Sequence, residues 1–362
     1  MGISELRRGA GDRASQAVIL PRAPLGRDLV RRGVISGSDA ALAEQVQARC
    51  NTTLDRVLLS EGLAEESDLL DAHARRLSAR RVGPEALAAL PAVETGLDPR
   101  VLLRHGAVVL RDETGAPRIA NDGARPVAPL RNALPDDLAG ARALVAPRTA
   151  VQDRIAELHS ETLRDMAAAR TAESESCRTW GAHPSRRLSV TCGALALVCA
   201  LCVAFPVTVF GALAAWAVLT LVVAAGLKVA AFVAATTRPA SAPAPAPQVT
   251  APLPRVSILV PLFRETEIAH ALVARLSRLT YPKCLLDVIL VLEEADSLTR
   301  ETLATIDLPP WIRPVIVPDG QPRTKPRAMN YALDFCEGEI IGIFDAEDAP
   351  EADQITQVAR RF

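Results

Sequence analysis

The sequence predicts an α/β protein whose C-terminal part is a mostly parallel sheet with helices packed on it. Three observations predict this class. Apolar strand-like runs alternate with helical stretches from Arg255 onward, carboxylates gather where those runs end, and an apolar block at 188–235 separates this part from a smaller, mainly helical one. A chain of 362 residues has room for two or three domains. Its net charge of −1 supplies no field favouring nucleic acid, which is excluded as a partner.

Residues 1–22 are rich in Arg, Gly and Ser and read as a disordered lead-in. A repeat follows at a constant offset of 29 residues, pairing Leu25 with Leu54, Leu29 with Leu58 and Gly33 with Gly62. Each copy reads as a helix ended by a C′ glycine, an apolar turn, and a second helix starting at an Asp or Ser cap. The second helices are Asp39–Arg49 and Ser67–Leu77. Short strands are expected at Val108–Leu110, Arg118–Ala120 and Arg142–Val145, then one helix from Thr149 to Arg170. Together they make a small α/β domain over 23–170, joined to the next part by a polar linker at 171–187.

The block at 188–235 carries one charge, Lys228, and suits two membrane crossings broken at Phe205–Pro206. Arginines before the first span and Lys228 and Arg238 near the end of the second predict a hairpin with both flanks cytoplasmic. Residues 236–254 are an Ala/Pro spacer, expected to be extended. The seven cysteines and five histidines show no zinc or disulfide spacing; Cys199 and Cys202 lie inside the apolar block as packing residues.

From 255 to 362 the expected strands are Val256–Val260, Asp287–Leu292, Arg313–Val317 and a buried run at Glu339–Ile343. Helices are expected at Glu267–Leu279, Thr299–Ile306 and Lys325–Phe335, with Gly338 past the last. No glycine-rich dinucleotide fingerprint and no P-loop occurs. Carboxylates stand at three strand ends: Glu265, then Glu293, Glu294 and Asp296, then Asp345, Glu347 and Asp348. Ligands of open α/β sheets bind at those ends. Two carboxylates one residue apart suit a hard divalent cation, and a solvated acidic turn is the plain alternative. Lysine occurs only at positions 228, 283 and 325, so Lys325 on the same rim stands out as a partner for a diphosphate.

Two resemblances follow from these residues. The tandem repeat resembles the N-terminal domain of type II secretion and type IV pilus ATPases, some of which bind cyclic di-GMP; it keeps the leucines, Gly33, Gly62 and Gln47. Pro24 and Thr53 replace the opening arginines of that motif, Asp55 its second glycine and Arg76 its second glutamine. The resemblance implies cyclic di-GMP or a protein as a partner of this domain. Val260–Glu265, Leu292–Asp296, Lys325–Leu333 and Phe344–Glu351 are similar to bacterial membrane glycosyltransferases of family 2, the cellulose-synthase-like enzymes with the GT-A, Rossmann-like fold.

That second resemblance implies a nucleotide-sugar donor, UDP-linked, and a polysaccharide or lipid-linked acceptor in exopolysaccharide biosynthesis at the bacterial inner membrane. It assigns Glu265, Glu293 and Glu294 to the uridine pocket and Lys325 to the diphosphate. Asp345 and Glu347, with Asp348 able to share, take the place of the D-x-D ligands of Mg²⁺ or Mn²⁺. The family's base and its Q-x-x-R-W motif lie downstream of the D-x-D, so the expectation is a truncated, donor-binding portion that does not turn over alone. A catalytically inert membrane adaptor, or a cyclic di-GMP-responsive regulator, is the competing class.

Overall fold

The computed structural model describes residues 25–175, 184–237, 252–264 and 268–362; the lead-in expected at 1–22 lies outside them. Two compact units emerge, one from Met1–Ala168 with Ala251–Phe362 and one from Ala169–Thr250.

The first unit opens with the repeat as α1 (Leu25–Arg31), α2 (Gly37–Cys50), α3 (Leu54–Ser60) and α4 (Glu66–Arg76). Both glycines end their helices in the left-handed region, Gly33 at φ 72° and Gly62 at φ 65°. The Val34 N–H bonds the Leu29 carbonyl at 3.0 Å and the Leu63 N–H bonds that of Leu58 at 2.8 Å, closing the same six-to-one cap twice. Ser36 caps α2 through the Asp39 N–H, whereas Glu65 precedes α4 with no side-chain cap. The expected caps, Asp39 and Ser67, instead lie inside the first turns of their helices.

A four-stranded sheet follows, from β1 (Arg80–Arg81), β2 (Ala107–Arg111), β3 (Pro117–Asn121) and β4 (Arg142–Val145) in the order β1-β4-β3-β2. Among its helices are α5 (Pro84–Ala89) and α6 (Pro99–His105). The single helix expected at 149–170 is two, α7 (Arg148–Leu158) and α8 (Ser160–Ala169). They are broken at His159, whose φ of −122° and ψ of 26° leave the helical region.

The second unit holds α9 (Pro184–Ala204) and α10 (Pro206–Thr237), both long and apolar enough to cross a membrane. Only Phe205 separates them. Its N–H bonds the Leu201 carbonyl at 2.8 Å, and the Val209 N–H bonds its own carbonyl at 3.0 Å. The expected break thus falls at Phe205, and Pro206 stands at the first position of α10, where its missing N–H costs little.

The rest of the first unit is β5 (Val256–Leu262), α11 (Ile268–Ser277), β6 (Leu286–Glu293), α12 (Ser297–Ala304), β7 (Ile312–Val317), α13 (Lys325–Ala332), β8 (Ile340–Ile343) and α14 (Gln354–Ala359). All neighbouring strands are parallel, in the order β7-β6-β5-β8. Pro314 is tolerated because β7 is an edge. Pro261 is tolerated because β8 pairs with β5 only as far as Leu259, leaving the proline no ladder donor to supply.

Alternation sorts the sheet's side chains between two cores. Val256, Ile258, Val260, Val288 and Leu290 pack with Leu25, Leu29, Leu54, Val57 and Leu58 of the repeat in one. Leu259, Ile289, Val291 and Val315 share the other with α13 and the first sheet. The expectation of a buried fourth strand is corrected: β8 is an edge, and Ile341 and Ile343 stay 41% and 59% exposed because no described element covers that face.

Gly338 serves close approach instead of a helix cap. A Cβ there would lie 2.2 Å from the Ser257 nitrogen, a backbone atom that cannot swing aside. Gly338→Ala is expected to destabilise the fold by about 1–3 kcal/mol through overpacking. A urea midpoint unchanged from wild type would show that the two segments separate freely.

Candidate functional site

Strand order sets the site. In chain order the second sheet runs third, second, first, fourth, the doubly wound arrangement whose ligand crevice opens where the order reverses. That reversal falls between the carboxyl ends of β5 and β8. At the first end stand Phe263 and Arg264, at the second the segment Phe344–Asp348. Arg264 has φ 56°, a rare conformation for a side chain of its size, and its guanidinium lies 5.3 Å over the exposed Phe263 ring.

Asp296 fixes that turn. Its Oδ2 accepts the Arg264 N–H at 2.6 Å and the Thr299 hydroxyl at 2.7 Å, while Oδ1 accepts the Thr299 N–H at the start of α12. Burial raises the Asp296 carboxyl, but these donors outweigh it and hold the group below the usual carboxylate range. Its role is that of a helix cap and turn anchor, and the pattern Asp-x-x-Thr ahead of a helix was the signal for it.

The expected site residues divide by neighbourhood. Glu265 lies outside the described residues. Glu293, half-buried at the end of β6, receives Arg327 Nη2 at 2.8 Å, and Arg327 also donates to the Pro318 carbonyl at 2.9 Å. Burial raises the Glu293 carboxyl above its ordinary value despite Arg327. Glu294 is exposed and accepts the Asp319 N–H at 2.9 Å. Both glutamates thus hold the loop between β7 and α13.

Lys325 opens α13 and forms an ion pair with Asp345 Oδ1, joining the two ends of the rim. Both side chains are about half exposed, at 51% and 48%. Asp348 closes a turn, its Oδ2 accepting the Asp345 N–H at 2.7 Å, and Glu347 is exposed beside it.

Among the described residues, no three His, Cys, Asp or Glu side chains converge on a point that holds a metal. The donor set present does fit the way Mg²⁺ and Mn²⁺ meet nucleotides, by one or two carboxylates with the remaining positions left to phosphate and water. Asp345 and Glu347 offer two such carboxylates one residue apart, and Asp348 is engaged in the turn.

Two contributors were absent from the sequence reading. Arg327 stood inside the Lys325–Leu333 motif with no sign that it would turn inward to Glu293. Arg275, on α11, donates from Nη2 to the Ala346 carbonyl at 3.0 Å and from Nη1 to those of Glu347 at 2.7 Å and Asp348 at 3.1 Å. Nothing in the spacing of α11 marked it.

No curated protein matches the chain. Among solved structures, one of MshE with cdg is 26% identical, covering 38% of this chain and 99% of its own, with a TM-score of 0.32. The mannosyltransferase PcManGT from Pyrobaculum calidifontis, in complex with GDP-Man and Mn²⁺, is 26% identical over 30% of this chain and 32% of its own, with a TM-score of 0.25. The N-terminal domain of XpsE is 24% identical over 36% and 90%, with a TM-score of 0.23. The family model described as Glycosyltransferase like family 2 matches residues 254–362, the parallel sheet with its rim of carboxylates. Residues 254–362 are a glycosyltransferase family 2-like domain.

Proposed function

We propose that the chain carries the donor-binding part of a membrane glycosyltransferase. The donor is a nucleotide-diphosphate sugar, UDP-linked in this reading, and the sugar passes with inversion to a polysaccharide or lipid-linked acceptor. The observation that carries the proposal is the Lys325–Asp345 pair at the switch point of the sheet, within the segment matched by the family.

In this reading the uridine moiety lies along the ends of β5 and β6, near Phe263 and Glu294, and Glu265 belongs to the same pocket. Lys325 leaves Asp345 for the diphosphate, exchanging one exposed ion pair for a more highly charged partner. Asp345 and Glu347 hold Mg²⁺ or Mn²⁺, which supplies Lewis-acid stabilisation of the departing nucleoside diphosphate. Glu293 keeps α13 in place through Arg327. The helices α9 and α10 anchor the chain in the bacterial inner membrane. Residues before and after them fold into one compact unit, which supports both flanks lying on the cytoplasmic side.

Asp345→Asn keeps the side-chain shape and removes the charge. Titration calorimetry of the detergent-solubilised chain is expected to show Mn²⁺-dependent UDP binding in wild type and none in this variant. Equal heats from the two proteins would sink the metal assignment.

A further inference from the structure

The segment from Phe344 to the start of α14 leaves the sheet once the Phe344 N–H has bonded the Leu259 carbonyl at 3.1 Å. Beyond that point it has no ladder. Its internal hydrogen bonds form two turns: at one the Asp348 N–H bonds the Asp345 carbonyl at 3.0 Å and Asp348 Oδ2 takes the Asp345 N–H, and at the other the Gln354 N–H bonds the Glu351 carbonyl at 3.1 Å. Among the described residues, Ala346 and Phe344 pack into the core of the repeat, and the segment's polar ties to the rest of the fold are few. Lys325 pairs with Asp345, Thr280 donates twice to the Ala352 carbonyl, and Arg275 donates to three consecutive carbonyls.

A guanidinium is a rigid planar fork, so three carbonyls on its rim are held at set angles to one another. Holding Ala346, Glu347 and Asp348 in this way fixes three consecutive peptide planes. The fork is itself aimed: Arg275 Nε donates to the Ala271 carbonyl one turn earlier in α11, at 3.2 Å. The side chain is half-buried, and the Ala346 residue it holds is 4% exposed. The strap therefore runs from a helix of the fold to the backbone that carries Asp345 and Glu347.

We propose that Arg275 is the positioning residue of this loop, holding Asp345 and Glu347 at the separation a divalent cation requires. The inference rests on the donor-site reading above and adds a residue to it. Arg275 acts through backbone, touching neither carboxylate side chain in the structure. Two physical effects of removing it have opposite signs. Loss of a nearby positive charge strengthens cation binding, whereas loss of loop order weakens it. Positioning predicts that the second effect wins.

The test uses the full chain in detergent and Mn²⁺ alone as the probe, followed by electron paramagnetic resonance of the free ion. Arg275→Ala is expected to weaken Mn²⁺ binding by about 10–100-fold, the usual loss when an outer partner of a metal ligand is removed. Its circular dichroism melt stays cooperative. Arg275→Lys, whose ammonium reaches one or two carbonyls but cannot span three, is expected to fall between. Amide exchange at 345–348 should quicken in the same order. Unchanged or tighter Mn²⁺ binding in folded Arg275→Ala overturns the proposal while leaving the donor site standing. If Arg275→Ala fails to fold, wild-type affinity in Arg275→Lys overturns it. Absence of Mn²⁺ binding in wild type overturns the donor-site reading instead, and unchanged exchange at 345–348 then overturns the positioning role as well.

Discussion

Glu337→Gln is expected to destabilise the first unit by about 3–5 kcal/mol, the range for breaking a buried ion pair from one side. Glu337 stands between α13 and β8 with its side chain 5% exposed. Arg56 Nη1 and Arg125 Nη2 each approach it at 2.7 Å, Arg255 at 3.4 Å, and Arg148 also pairs with it. Glu337 therefore pairs with four guanidiniums, three of them from the N-terminal part, while the buried Asp287 also acts on Arg56, Arg148 and Arg255. Burial and the neighbouring Arg56 and Arg125 draw Arg255 down to about 10, against the opposing pull of Asp287 and Glu339. Glutamine keeps the carbonyl acceptor but removes the charge and turns an amide donor toward arginines. Urea denaturation followed by circular dichroism reads the effect. A loss under about 0.5 kcal/mol would mean that the arginines re-pair with backbone carbonyls, as Arg56 already does with Cys284 and Leu286. The consequence reaches the site, because Glu337 precedes the strand that leads to Asp345.

Lys325→Ala is expected to move two affinities in opposite directions. In the presence of Mn²⁺, UDP binding should weaken roughly 10–150-fold, the equivalent of losing a charged hydrogen bond of about 1.5–3 kcal/mol. Without nucleotide, Mn²⁺ should bind slightly tighter, because Asp345 no longer has a competing cation. The gain is capped near fivefold, since an exposed ion pair contributes about 0–1 kcal/mol. Calorimetry with UDP and resonance titration with Mn²⁺ separate the two. A parallel loss of both would assign Lys325 to holding the loop, and the diphosphate role would fall.

Much of the fold was legible because local patterns dictate backbone conformation. The 29-residue offset and its two glycines specified a repeated helix cap, and Gly33 and Gly62 adopt the left-handed conformation that a C′ glycine supplies. Strand-helix alternation after Arg255 specified a parallel sheet, and all its neighbouring strands are parallel. The rim of Glu293, Glu294, Lys325, Asp345, Glu347 and Asp348 was legible for the same reason, since each falls where an apolar run stops or a helix begins.

What was illegible depends on partners distant in the chain. The isoleucines of β8 read as buried, yet burial is decided by what lies across the edge. The turn in which Asp348 accepts the Asp345 N–H and the ion pair of Glu293 with Arg327 had no signal in the spacing.

By itself, then, the sequence determined the element types, the repeat, the apolar helices and the clustering of carboxylates with one lysine on a strand-end rim. These follow from side-chain period, turn chemistry and hydropathy within a few residues. Only the tertiary structure decided that the β5–β8 junction is the switch point, that four arginines share Glu337, and that Arg275 grips the backbone behind Asp345 and Glu347. Those outcomes are set by which buried charges and unpaired carbonyls are brought together once the sheets pack. A buried charge must then find a partner wherever the chain supplies one.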